Sequence, residues 1–388
     1  MPTCVLVGPR PPPVTGQSLS FTMLCDGFSE RGLPFRVIDI SPLDPERRDG
    51  SFSWRRVRTL MRPFLNGLPF LVRRDQILYL TIAQSWNGFL RDLVFISLAV
   101  AGGQRVVLHL KGGNYDGFYQ QQSDGRRRLI RATLSKATRI VVLGECLRPM
   151  FSFLPHHQEQ VVVVYNGLPA RTPQLPPHPK TLPTSGDTPV RILYLSNLIE
   201  TKGYLDVLEA VRLLVQDDRV NVECHFCGDF ALAADSTRFS SIGEAERDFF
   251  KRVDRYGLAK RVFWKGTVSG VEKEGELRDA HFFVLPTNYV NEGQPVSIIE
   301  ALAHGCVVVS TPYRTIPEML AATEEVGMLV PYASPADIAR AVLGCVRDGA
   351  RFRRLSEQAM LQYKRRFSRS AHLDALIAVI LGASKEAL

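Results

Sequence analysis

The chain has 388 residues, 45% hydrophobic and 22% charged, with a net charge of +9. That length exceeds one ordinary core, so two domains are expected, and the composition is that of a globular protein. No apolar run of about eighteen residues occurs, which excludes a predicted spanning helix, and the basic balance comes without a recognition motif, which excludes nucleic acid as the expected partner.

Seven cysteines (Cys4, Cys25, Cys146, Cys224, Cys227, Cys306, Cys345) are scattered, mostly within apolar runs. That pattern predicts buried thiols in a reducing compartment, hence a cytoplasmic protein, rather than a disulfide framework. Cys224-His225-Phe226-Cys227 has the form of half a zinc site. No second pair follows at ligand spacing and the segment alternates like a strand, so core thiols are predicted and no metal is expected.

The opening segment, Met1 to Gly8, lacks a basic leader and predicts a first strand rather than a signal peptide. Strands are predicted at residues 3–7, 35–40, 76–80, 105–109, 139–143 and 160–165, with amphipathic helices such as 18–31 and 88–101 between them. Strand and helix in alternation imply βαβ units and a mostly parallel sheet. After the first strand runs Gly8-Pro9-Arg10-Pro11-Pro12-Pro13-Val14-Thr15-Gly16. Gly16, near a helix start, would let backbone N–H groups approach a phosphate, although the spacing is not GxGxxG.

Arg47, Arg48, Arg55, Arg56, Arg58, Arg62, Arg73 and Arg74 follow, interleaved with Trp54, Leu60, Met61, Phe64, Leu65, Leu68 and Phe70. Arg126, Arg127, Arg128 and Arg131 form a second cluster. These segments predict either a surface that lies on an anionic membrane or a solvated basic face. Beyond strand 105–109 comes Lys111-Gly112-Gly113-Asn114, whose glycines suit close approach to a ligand. His109 stands at the strand's carboxyl end, where it could position or deprotonate an acceptor hydroxyl or serve only the core.

Prolines 169, 173, 176, 177, 179, 183 and 189 then break the pattern. Residues 169–189 are therefore predicted as a linker between domains 1–168 and 190–367. Strands resume at 190–195, 220–227, 262–265, 282–285, 307–310 and 328–330, and helices at 203–215, 245–256, 296–304, 335–347 and 350–366. This is a second doubly wound α/β domain. The last segment, 368–388, has helical periodicity and could cap the second domain or cross back to the first.

Two stretches of the second domain carry chemistry. Ser196-Asn197-Leu198-Ile199-Glu200-Thr201-Lys202-Gly203 lies beyond its first strand, with Lys202 placed to offset a diphosphate's charge. Asn291-Glu292-Gly293-Gln294-Pro295 leads into a short helix that ends at Gly305. Pro295 suits the first helical position and Gly305 the left-handed position past the end. Within 293–296 the backbone N–H groups of Gly293, Gln294 and Val296 offer an anion or hydroxyl site. Glu300 shares the helix with Val296, Ile299 and Leu302, is drawn inward, and so requires a partner.

Glu292 to Glu300 matches an E-x7-E motif. With Asp279-Ala280-His281-Phe282-Phe283-Val284-Leu285-Pro286, Val164-Tyr165-Asn166-Gly167, Gly305-Cys306-Val307-Val308-Val309 and Gly327-Met328-Leu329-Val330-Pro331, the chain resembles the retaining, nucleotide-sugar-dependent glycosyltransferases of family 4. The resemblance implies a GT-B fold, two Rossmann-like domains facing each other, the first binding acceptor and the second donor. It implies that Glu300 holds the ribose hydroxyls, Glu292 binds the sugar, and Gly293, Gln294 and Pro295 line the sugar and phosphates. Gly266, Thr267 and Val268 would meet the base, Lys202 would neutralise the diphosphate, and Gly16 would close on it. His109, Lys111, Gly113 and Asn114 fall on the acceptor side. The family usually has an arginine where this chain has Asn197, so the second positive charge is absent or comes from elsewhere, Arg10 being one candidate.

The expected reaction moves a sugar from a nucleotide-diphosphate sugar, with UDP the guessed carrier, to a glycan or lipid-linked acceptor in bacterial surface polysaccharide or lipopolysaccharide synthesis. Lys202, Glu292 and His109 are the expected catalytic residues, with no cofactor or metal. A soluble small-molecule acceptor, a nucleotide-sugar epimerase or hydrolase, and an inactive sugar-nucleotide binding module are the alternatives.

Overall fold

Apolar runs such as Gln76–Ile82, every residue of which is buried, form strands covered on both faces, as parallel sheets require. The computed structural model describes residues 2–12, 15–41, 75–168, 176, 178–233, 235–321 and 324–382. The chain divides into two units, Met1–Pro169 with Arg369–Leu388, and Ala170–Ser368.

In the first unit β1 (Thr3–Gly8), β2 (Phe35–Asp39), β3 (Gln76–Ile82), β4 (Arg105–Leu110), β5 (Arg139–Val142) and β6 (Val161–Val163) form one sheet in the order β2-β1-β3-β4-β5-β6. All its pairings are parallel. In the second unit β7 (Val190–Leu195), β8 (Val222–Cys227), β9 (Val262–Gly266), β10 (Phe282–Leu285), β11 (Val307–Ser310) and β12 (Gly327–Leu329) pair in the order β12-β11-β10-β7-β8-β9, again all parallel. In each sheet successive strands are laid outward in both directions from a central pair, β1/β3 or β7/β10. That pair is the point where the winding reverses and the loops beyond its carboxyl ends part, which is where open α/β sheets bind ligands.

The predicted strands and principal helices are present, with ends shifted by a few residues. The expected helix 203–215 is Tyr204–Arg212 followed by a π turn, Leu213–Asp217, and 350–366 is Gly349–Gln362 followed by Tyr363–Phe367. Cys224 and Cys227 are buried thiols of β8, whereas Cys146 is exposed. Burial pushes the Cys227 thiol up to about 12.

The first basic cluster, Arg47 to Arg74, lies outside the described residues. The second lies on the Asp124–Leu134 helix, where Arg126 stacks over Trp86 at 4.3 Å. The proline-rich stretch is described only in part; its Lys180 is tied to the second unit. The Lys180 ammonium caps the helix Gly270–Asp279 by donating to the carbonyls of Leu277 and Arg278 at 2.8 Å, and its backbone N–H donates to Ser356 Oγ at 2.8 Å.

The terminal helix Arg369–Leu381 belongs to the first unit. Leu373, Leu376, Ile377 and Ile380 are buried with Leu24, Phe28 and Tyr79. Gly27 permits this contact, since a Cβ there would stand 2.8 Å from Leu373. Arg369 adds a bidentate pair to Glu30, both bonds 2.8 Å. Ile377→Ala, at a fully buried position, should therefore destabilise the first unit by about 2–5 kcal/mol in chemical denaturation. A loss below about 1 kcal/mol would contradict this packing.

Candidate functional site

Lys202 ends a short 3-10 turn, Glu200–Lys202, that follows β7. The chain then enters the next helix through Gly203 at φ 75°, and a Cβ there would stand 2.6 Å from the Pro286 carbonyl oxygen. Glycine thus lets the loop after β7 lie against the loop after β10, and the Asn288 N–H seals the contact by donating to the Thr201 carbonyl at 2.6 Å. The Lys202 ammonium lies 3.3 Å from Glu292 Oε2 and 3.0 Å from Ser196 Oγ, and 5.2 Å from the Tyr289 ring centroid. Glu292 is only 8% exposed. A buried carboxylate needs such compensation, because its charge would otherwise be lost to protonation or paid in desolvation. Asn197 is exposed and uncharged, and its carbonyl accepts from the Tyr194 hydroxyl at 3.1 Å.

The second half of the motif is built on the helix Val296–Ala303. Pro295 caps it at φ −62°, ψ 111°, one residue before the first helical position predicted for it; a missing N–H is tolerated at either place. Gly305 takes φ 69° past the helix end, as predicted. Glu300 has the partner its burial demands: the Lys273 ammonium of the Gly270–Asp279 helix, at 2.6 Å. Gln294 is buried, and the Gly293 carbonyl accepts from Thr315 Oγ1 at 2.7 Å.

Gly266 closes β9 at φ 65°, and its carbonyl accepts from the Gly228 N–H at 2.7 Å. Thr267 Oγ1 donates to Asp229 Oδ2 at 2.7 Å, and Val268 is buried. The predicted donor residues of this unit thus all follow strands β7, β9 and β10. Lys202 and Glu292 are in direct contact. Glu300 and Thr267 have their own partners, Lys273 and Asp229, and make no hydrogen bond or ion pair with Lys202 or Glu292 among the described residues. Lys273, Asp229 and Thr315 were not singled out by sequence, because each is recruited from a distant segment.

In the first unit Gly16 is exposed and opens the Gly16–Glu30 helix, behind a capping box of Thr15 and Ser18. His109 corrects an expectation. Its ring is 0% exposed, Nδ1 lies 2.7 Å from the Tyr79 hydroxyl, and Nε2 is buried without a partner. Burial, with help from the charge of Lys111, holds it well below the usual histidine range. A ring that reaches no surface is a neutral core histidine rather than a base for an acceptor hydroxyl. Lys111 donates to Ser20 Oγ at 2.9 Å and Asn166 Oδ1 at 3.0 Å, and burial lowers it to about 7. Gly113 is buried, and the Asn114 N–H donates to Gln84 Oε1 at 2.9 Å, so the loops after β3 and β4 are interlocked. His372 of the terminal helix joins this cluster, with Nδ1 2.6 Å from the Tyr165 carbonyl oxygen.

Residues 183–362 match the family model described as glycosyl transferases, group 1. The match coincides with the second unit and its Lys202–Glu292 pair. WcaL of Escherichia coli (strain K12), named as a colanic acid biosynthesis glycosyltransferase, is 32% identical over 148 residues, which are 37% of this chain and 33% of WcaL. The chain thus spans about a third of the length of the curated relatives it matches. Among solved structures, HepE of Anabaena in complex with UDP aligns over 98% of this chain and 100% of its own, with TM-score 0.70 and 14% identity. The lipopolysaccharide outer core galactosyltransferase WaaB aligns over 98% and 99%, with TM-score 0.65 and 13% identity. The fold is that of these GT-B structures.

The buried histidines yield a pH prediction. Burial lowers His372 from 6.5 to about 3. The unfolded chain therefore takes up this proton first, so the associated stability is intact above pH 6.5 and declines as pH falls toward 3, by about 1.4 kcal/mol per pH unit. His372→Gln removes that slope. The stability gap between wild type and variant should narrow by about 2 kcal/mol between pH 7.5 and 5 in denaturant titrations; a constant gap would contradict the buried neutral ring.

Proposed function

We propose that this chain is a retaining glycosyltransferase that moves a sugar from a UDP-sugar to a hydroxyl of a glycan or lipid-linked acceptor, in bacterial surface polysaccharide or lipopolysaccharide synthesis. The observation that carries this is the Lys202–Glu292 pair, 3.3 Å apart, at the winding reversal of the sheet that matches the group 1 family. The second unit is read as the donor-binding domain and the first as the acceptor-binding domain. Support for the donor comes from HepE, solved with UDP and with UDP-glucose, and support for the pathway class from the names of WcaL and WaaB.

In this proposal the ammonium of Lys202 leaves Glu292 for the donor's diphosphate, and the freed carboxylate binds sugar hydroxyls. The anomeric C–O bond to the β-phosphate breaks with its electron pair leaving on the diphosphate, and the acceptor oxygen bonds to the same face of that carbon. The acceptor proton passes to the departing phosphate oxygen. Stabilising the leaving anion is then the largest catalytic contribution, and Lys202 supplies it. Glu300, held by Lys273, would accept from ribose hydroxyls, and Gly266, Thr267 and Val268 would border the base. Acceptor contacts are assigned to Lys111, Gly113 and Asn114. No step requires a metal or cofactor.

Lys202→Ala should lower kcat for sugar transfer by about 10²–10³. Unchanged turnover would contradict the leaving-group role. The membrane part of the proposal rests on the basic sequence segments; among the described residues no helix is long and apolar enough to cross a membrane. The protein should float with anionic liposomes at low salt and be released at high salt; absence of binding at low salt would remove the peripheral-membrane assignment.

A further inference from the structure

The loop after β11 carries a cation, Arg314, with no ion-pair partner among the described residues. Two threonines fasten this loop to the one bearing Glu292: Thr311 Oγ1 donates to the Thr287 carbonyl, and Thr315 Oγ1 to that of Gly293 at 2.7 Å. Between them Arg314 takes φ 50°, a left-handed conformation uncommon for a residue with a side chain. Arg314 is half-buried. Its Nη2 reaches the Val290 carbonyl at 3.4 Å, its guanidinium lies 5.5 Å from the Tyr313 ring centroid, and Nε is buried with no hydrogen-bond partner.

Its surroundings differ from those of the site's other cations. Lys202 and Lys273 each face a glutamate, at 3.3 and 2.6 Å. No carboxylate of the described residues stands within ion-pair distance of Arg314. β10 lies between β7 and β11 in the sheet. Lys202, from the β7 loop, and Arg314, from the β11 loop, therefore flank one turn, residues 289–292, which the Glu292 N–H closes by donating to the Tyr289 carbonyl at 2.9 Å. A guanidinium on a loop fastened by threonines on both sides, beside a turn that already carries the ion pair and with no carboxylate partner among the described residues, is pre-positioned for an anion. The proposed donor carries a diphosphate with two negative charges, Lys202 is a single cation, and Asn197 adds none.

We infer that Arg314 is the second cation of the donor site, holding the nucleotide sugar's diphosphate together with Lys202. This rests on the nucleotide-sugar function proposed above and assigns the charge that Asn197 does not supply.

The test is calorimetric titration of the full chain with UDP and, in parallel, GDP, for wild type, Arg314→Gly and Arg314→Lys, with melting temperatures of the unliganded proteins alongside. Glycine adopts φ 50° without steric cost, so Arg314→Gly should keep its melting temperature while its Kd for the bound diphosphate rises about tenfold or more. Arg314→Lys should fall between the two. An unchanged Kd in Arg314→Gly overturns the inference. So does weakened binding that accompanies a lowered melting temperature and is not restored in part by lysine, which would mark Arg314 as structural. Wild type that binds neither UDP nor GDP removes the nucleotide-sugar function itself, and this outcome is separate from the other two.

Discussion

A buried ion pair at the reversal point of a parallel sheet organises the second unit. Parallel strands joined by helical crossovers deliver all their outgoing loops to one edge, and the reversal between β7 and β10 separates two of those loops. Lys202 comes from one and Glu292 from the other, so their contact exists only when the whole strand order is in place. Gly203 makes that approach sterically possible, and the Asn288-to-Thr201 bond sets its depth. Either charge alone in so enclosed a place would carry a heavy desolvation cost; together they offset each other.

The motif's second carboxylate is held in the same way. Glu300 faces Lys273 as Glu292 faces Lys202, so both motif carboxylates rest against lysines. Under the proposed function, a ligand with its own anion and its own hydroxyls replaces both halves of each pair. A diphosphate satisfies the lysine and diols satisfy the glutamates. Arg314 stands outside that arrangement, with no carboxylate within ion-pair distance among the described residues.

The strands were legible because parallel strands buried on both faces read as unbroken apolar runs, such as Val307-Val308-Val309 and Phe282-Phe283-Val284-Leu285. Lys202 and Glu292 were legible as well, since chemistry at a sheet's carboxyl edge falls just past a strand in sequence. Their contact was not, because it joins loops separated by the β8 and β9 excursions. Lys273 was hidden for a different reason: the Gly270–Asp279 helix buries only Leu277, so its sequence shows no apolar stripe to flag it. His109 misled because its position at a strand's end resembles that of a working residue, whereas Tyr79 and the sheet enclose it completely. The destination of the terminal helix depended on the fit between Gly27 and Leu373, a shape match that periodicity does not encode.

The most direct measurement is a crystal structure of the protein bound to a nucleoside diphosphate. Exchange of partners predicts the Lys202 ammonium within about 3 Å of a phosphate oxygen and drawn away from Glu292. A diphosphate bound elsewhere, with the Lys202–Glu292 pair intact, would contradict it.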